Sequence, residues 1–354
     1  LAAADGRQTI KRKIYKLTEN LGNRNYLFDN IKAILIFSVV LAHYFRASTA
    51  FDADNLGGMI YITSFSYIMQ AFFFISGYFS GNPQKCRDTA FKTFLYPYLI
   101  LMPLMYGIRS LIFGTANFDL TLPTMALWYL LTLFFYRYFL INLVRIKNIL
   151  PISFLISLTA GFIPLFNSTL SIGRTLAFLP FFLMGYYFKS EWIEQIRRVP
   201  KTASFLLLVL LLSLAAALSM LEVVPLAAFH MKNSYGATGL GNLEGMAVRL
   251  LLSAVSIAWI MIFINLLPRK KTFLVVIGQN TMTVYVLHIV IRYFVKAFGF
   301  PFDDGVSFLL LAVLAVLSVW LFSRPFTAAL YHHIMNGLYQ WTVVFPRTLF
   351  RQIL

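Results

Sequence analysis

Asp29-Asn-Ile-Lys-Ala-Ile-Leu-Ile-Phe-Ser-Val-Val-Leu-Ala-His43 is the stretch on which the fold and the chemistry turn. It is apolar enough to be a membrane helix, yet Lys32 and His43 stand in it eleven residues apart. At ~100° per residue their side chains fall within ~20° of one face, and a 1.5 Å rise separates them by ~16 Å. A cation near the membrane surface and an imidazole at depth on one stripe suggest a path leading inward. Placing either group in lipid costs about 2.5–3.5 kcal/mol or more, so the default reading is functional.

Working outward, 59% of the 354 residues are hydrophobic, only 12% are charged, and 36 are phenylalanine. That composition, with repeated apolar runs of ~20 residues, points to an all-α polytopic membrane protein rather than a soluble domain or a barrel. Ten candidate helices span 28–48, 58–80, 91–113, 125–143, 149–167, 175–189, 203–221, 246–267, 273–297 and 306–323. The run after Asp29 is too studded with polar groups for a signal peptide. Residues 28–354 read as one integral domain, preceded by a basic segment, 1–27, that suits an interfacial helix on anionic headgroups.

The net charge of +17 raises nucleic acid as a partner, but its distribution argues for topology instead. Basic residues cluster in alternate segments: Lys11 to Lys16, Lys85 and Arg87, Arg145 and Lys147, Arg197 to Lys201, Arg269 to Lys271, and Arg347 with Arg351. The inside-positive rule then places both termini in the cytoplasm. The single cysteine, Cys86, excludes an internal disulfide. No metal-ligand spacing stands out.

Several polar residues sit where lipid is expected. His43 reads either as a general base with a near-neutral titration or as a structural hydrogen-bond partner of another helix. Lys32 either snorkels, pairs with Asp29 one turn earlier, or meets an anion. Thr281, Tyr285, His288 and Arg292, spaced by four, three and four, share one face and look like a cavity wall. Gly278 and Asn280 precede them, where a helix break or close approach is expected. Ser76 and Gly77 end the second helix, suited to tight packing or to backbone approach to a ligand. Arg109, Arg137, Arg174 and Arg249 lie inside or at the outer ends of helices; outer arginines do not follow from the inside-positive bias. They suit anionic or hydroxyl-rich substrates, or partner carboxylates. Trp128 and Tyr129 fit an interfacial belt. The longest outer loop, 222–245, with His230, Lys232 and Tyr235, reads as a sugar-binding lip or as an ordinary solvated loop.

These phrases together resemble the acyltransferase family 3 membrane proteins, and among them the fucose 4-O-acetylase-like branch. Lys32 and His43 match a first-helix motif of a basic residue, ten intervening positions and histidine, with lysine where arginine is commoner. Phe72-Phe-Phe-Ile-Ser-Gly-Tyr78, Leu127-Trp-Tyr129, Leu179-Pro-Phe-Phe-Leu-Met-Gly185 and Ile277-Gly-Gln-Asn-Thr-Met-Thr-Val-Tyr-Val-Leu-His288 are similar to later signatures, in order. Two departures stand out. Paired arginines after the second helix are lacking, with Lys85, Arg87 and Lys92 the nearest candidates, and the fourth helix opens without a carboxylate.

The resemblance implies transfer of an acetyl group from cytosolic acetyl-coenzyme A to a hydroxyl of a cell-envelope saccharide or glycolipid, in a bacterial inner membrane. It implies His43 as base, with Ser76 and His288 as further catalytic candidates. Lys32, Lys85, Arg87, Lys92 and Tyr285 would hold the donor; Trp128, Arg174, Tyr235 and Arg249 would meet the acceptor. Two other functions compete: a transporter or flippase of a polar lipid or acyl group, and an inactive sensory or anchoring module. No paired internal repeat favours the transporter.

Overall fold

The computed structural model describes residues 25–114, 118–166, 169–300, 302 and 304–346, so the basic segment Lys11 to Lys16 lies outside it. Every regular element among these residues is helical. In chain order they are α1 (Leu27–Ala47), α2 (Leu56–Phe65), α3 (Ile68–Tyr78), α4 (Pro83–Ala90), α5 (Tyr96–Phe113), α6 (Trp128–Leu143), α7 (Ile149–Thr159) and α8 (Ile172–Tyr187). There follow α9 (Ser190–Arg198), α10 (Lys201–Leu221), α11 (Leu226–Phe229), α12 (Asn242–Leu266), α13 (Leu274–Gln279), α14 (Thr281–Phe298), α15 (Asp304–Phe322) and α16 (Pro325–Tyr339).

Among the described residues, eight stretches are long and apolar enough to cross a membrane. The other two expected spans are each too short to cross a membrane as one helix: α7 stops short of the expected 149–167, while α8 begins just before the expected 175. Helix α7 has 11 residues and α8 has 16, which at 1.5 Å rise give ~17 and ~24 Å against a ~30 Å hydrocarbon core. Pro164 falls within the expected 149–167 span but beyond the end of α7, and the left-handed Leu170 and Ser171 (φ 50° and 54°) lie in the connection expected before α8. Short polar helices such as α4 and α9 add to the expected set; their composition hides them from an apolar-run search.

Helix α1 is the hub. Helices α2, α3, α12, α13, α14 and α15 all pack on it, and 72% of its most apolar window is buried, against 22% for α10. Helix α10, the most hydrophobic of all, therefore presents most of itself to lipid.

Two expected spans are broken helices. Between α2 and α3 the chain leaves helical geometry at Tyr67 (φ −140°, ψ −27°). The freed carbonyl of Ser66 accepts a hydrogen bond from Ser256 Oγ at 2.7 Å, and Tyr67 Oη meets Ser38 Oγ at 2.8 Å. Between α13 and α14 the break is at Asn280, whose Nδ2 donates to the Ser323 carbonyl at 2.8 Å. Broken backbone within a membrane protein survives only when protein groups satisfy it in this way.

Glycines set the closest crossings. A Cβ on Gly77 of α3 would collide with the Phe182 carbonyl of α8, and one on Gly185 of α8 with the Phe74 carbonyl of α3. Reciprocal small residues let the two backbones touch, the usual basis of tight membrane-helix pairs. Gly77 is thus a packing residue. Gly185→Ala is expected to destabilise the purified protein by about 1–3 kcal/mol through overpacking, while Gly81→Ala, with nothing near its would-be Cβ, leaves the thermal melt unchanged. Equal melting temperatures for both variants would contradict this account of the α3–α8 crossing.

Candidate functional site

The site begins with how α1 is pinned. Gly278 of α13 lies against the Asp29 carbonyl, where no side chain fits. Asn30 Nδ2 donates to the carbonyls of Pro268 (2.8 Å) and Lys270 (3.1 Å), and its Oδ1 accepts from Thr272 Oγ1 at 2.5 Å. These contacts fix the start of α1 against the segment entering α14. The two helices run in the same direction and their polar rows come into register. Lys32 and Thr281 line a cavity toward the start of both helices, the proximal end. Arg46, Arg292 and Lys296 line another toward their far, distal end.

The proximal cavity holds about 280 Å³ and is lined mainly by apolar side chains, with Lys32, Ser76, Arg137 and Thr281 as its polar groups. Lys32 Nζ pairs with Asp29 at 2.9 Å, as one sequence reading allowed. Arg137 stands over the Phe94 ring (5.6 Å), and its Nε is buried without a hydrogen-bond partner. The distal cavity holds about 490 Å³ and contains His43. Val39, Met69 and Tyr285 line both cavities, so they form the constriction between them. Tyr285 is the only one of the three with a hydroxyl.

A hydrogen-bond chain orders the imidazoles. His288 is fully buried, and its Nδ1 lies 3.1 Å from the Val284 carbonyl. A carbonyl only accepts, so Nδ1 carries the hydrogen and a neutral His288 has its lone pair on Nε2. That nitrogen lies 2.9 Å from His43 Nδ1, with the two rings within 8° of coplanar. His43 Nδ1–H therefore donates to it, leaving the lone pair of His43 on Nε2. A second group that fixes the tautomer of a base is the arrangement that general-base catalysis requires.

Around His43 the distal cavity gathers Arg46, Arg174, Lys232, Arg292 and Lys296, and among the described residues no carboxylate. Arg174 stacks over Trp128 at 4.5 Å, Arg46 over Phe51 at 4.6 Å. The Nε of Arg292 is buried without a partner. From the 222–245 loop, His230 enters the cavity wall and bonds Tyr61 Oη. Burial first, then the neighbouring Arg174, Lys232 and Arg46 charges, push the His230 imidazole down to about 3.

Comparison with known families supplies the remaining link. An acyltransferase domain family matches residues 25–324, which contain every residue of both cavities. The chain belongs to acyltransferase family 3. Comparison with curated proteins and with solved structures found no match. The chain is thus a multi-pass membrane acyltransferase, and its two cavities occupy the matched domain.

Within this acyltransferase, the expected residues divide cleanly. His43, Tyr285, Trp128 and Arg174 meet in the distal cavity, with His288 behind His43. Ser76 lies in the proximal cavity beside Lys32, across the constriction from His43. Lys85 is exposed, Arg87 stands over Tyr138 at 4.8 Å and Lys92 over Tyr339 at 5.0 Å; none lines either cavity. Arg249 and Tyr235 serve the loop instead. Arg249 donates to the carbonyls of Ser157 (2.7 Å) and Asn233 (3.3 Å) while standing over Tyr235, whose hydroxyl donates to the Leu158 carbonyl at 2.6 Å. Sequence reading passed over Arg46, Lys296 and Tyr61. Arg46 is three residues after His43, and Lys296 extends the Tyr285–His288–Arg292 row, so helical spacing could have found both. Nothing local marks Tyr61.

His230 generates a prediction. Its ordinary value is 6.5 and its folded value about 3, so within that window the unfolded chain binds a proton that the folded chain refuses. Stability contributed by neutral His230 is complete above pH 6.5 and falls as pH drops toward 3. Thermal melts of wild type and His230→Gln between pH 7.5 and 5 are expected to show a steeper acid loss in wild type. Parallel curves would contradict the assignment.

Proposed function

We propose that the protein is a membrane O-acetyltransferase moving an acetyl group from cytosolic acetyl-coenzyme A to a hydroxyl of a cell-envelope or lipid-linked saccharide. One observation carries the reading: a tautomer-fixed His43 stands in a cavity that meets a second cavity at Val39, Met69 and Tyr285. The clustering of basic loops supports a cytoplasmic proximal end, in a bacterial plasma membrane. The proximal cavity suits the donor. Its apolar wall fits a pantetheine arm, and Lys32 with the under-bonded Arg137 fits phosphate. Lys85, Arg87 and Lys92 stand outside this wall, so their part is limited to whatever of the nucleotide projects beyond it.

The acceptor hydroxyl approaches from the distal side. His43 Nε2 takes its proton as the oxygen attacks the acetyl carbonyl carbon. The carbon–sulfur bond breaks, the thiolate receives the proton from His43, and ester and free thiol leave. Because Tyr285 alone among the constriction residues carries a hydroxyl, it is better placed than Ser76 to donate to the developing oxyanion. Holding two substrates end to end supplies much of the acceleration by proximity. No acyl-enzyme is needed.

The test is thiol release by protein in lipid nanodiscs supplied with acetyl-coenzyme A and cell-envelope glycan extract. His43→Ala is expected to lower kcat by about 10²–10⁴-fold, and Tyr285→Phe by about 10²–10³-fold, with donor binding retained. His288→Ala lowers kcat by less than His43→Ala, because it frees the tautomer without removing the base. Full turnover in His43→Ala contradicts the mechanism. Movement of a polar lipid with no thiol released favours transport instead.

A further inference from the structure

The distal cavity is charged in a way that a neutral acceptor does not explain. Among the described residues, five cations line it and no carboxylate does. Among the described residues the ion pairs are Lys32–Asp29 and Arg269–Glu194, neither of which reaches this cavity. The cations rest on aromatic faces instead: Arg174 on Trp128, Arg46 on Phe51, Lys296 on Phe113 at 5.7 Å. Aromatic faces orient a guanidinium and leave its N–H groups free for a ligand. The buried Nε of Arg292 is a donor for which the described residues provide no acceptor. Nor does membrane topology account for the group, since the cavity lies at the end of α1 opposite the basic loop Arg269 to Lys271, which docks on Asn30.

Like charges gathered in a shielded cavity repel one another more strongly than they would in water. Arginines stacked on aromatic rings around a base are held at a cost in self-repulsion, which a bound anion removes. We infer that the acceptor of this acyltransferase is anionic: a saccharide carrying a phosphate or carboxylate, gripped by Arg174, Arg292 and Lys232 so that its hydroxyl meets His43. This rests on the acyl-transfer reading above and adds the chemical class of the acceptor. The anion positions the hydroxyl; it takes no part in bond making.

The experiment uses the full-length protein in nanodiscs and four probes: methyl glucoside, methyl glucoside 6-phosphate, methyl glucuronide and adenosine 3′,5′-bisphosphate, the last standing for the donor's nucleotide. Binding is read by thermal shift and by competition against thiol release. A charged glycoside binding at least tenfold more tightly than methyl glucoside, weakened by salt and by Arg174→Met, supports the inference. Whether phosphate or carboxylate binds better identifies the source of the charge. Lys296→Met, at an exposed position, and Arg174→Lys, which keeps the charge, guard against misfolding: partial loss is expected from each. Equal binding of neutral and charged glycosides overturns the inference while leaving acyl transfer intact. Loss of adenosine bisphosphate binding in Arg174→Met, with charged glycosides unaffected, overturns it too, because the cations then hold the donor. Anion binding at Arg174 with no thiol release under any acceptor supports the anion site and overturns the transferase reading instead.

Discussion

The close approach of α1 to the α13–α14 segment is the constraint on which the rest depends. Gly278 permits it by offering no Cβ to the Asp29 carbonyl. Asn30 then secures the start of α1 to the 268–272 loop through three hydrogen bonds. With both helices starting from one anchor and running the same way, their rows stay matched over their length. Val39 reaches the level of Tyr285, and His43 that of His288. A slip of one residue would turn each side chain by ~100° and separate the imidazoles. The break at Asn280 belongs to the same device, since it lets α14 take a direction independent of α13 while the Asn280 side chain ties the junction to the Ser323 carbonyl.

From that register come two chemically different compartments. The proximal one is apolar, with a lysine already neutralised by Asp29 and an arginine short of partners. The distal one is more polar and strongly cationic, and holds the imidazole whose free nitrogen is set by a chain ending at the Val284 carbonyl. The constriction keeps them apart with three side chains. Such a layout suits a reaction that joins a long thioester to a polar acceptor, because each substrate enters by its own opening and the two meet at the constriction.

Much of this was legible before the structure. The Lys32–His43 spacing put both residues on one stripe, and each lines a cavity, because 3.6-residue periodicity survives into helix packing. Of the Thr281–Tyr285–His288–Arg292 row, read as a cavity wall, Thr281, Tyr285 and Arg292 line a cavity while His288 stands buried behind His43. Gly278 and Asn280 were marked as an approach and a break, and they are both. The ten-helix reading overran at α7, where apolar composition continues past the end of the helix and through Pro164. Tertiary contacts between distant segments were not legible. Periodicity could not tell that Arg249 and Tyr235 would satisfy each other and the loop, or that Tyr61 would reach His230. The pairing of His43 with His288 joins two rows read separately. Only the packing of α14 on α1 makes them one site.

A cryo-EM structure with a thioether analogue of acetyl-coenzyme A tests the central claim most directly. The account predicts density entering from the Lys32 and Arg137 side and passing between Val39, Met69 and Tyr285, with its acyl end facing His43 Nε2. Nucleotide density among Arg174, Arg292 and Lys232, or an analogue bound away from the constriction, would contradict it.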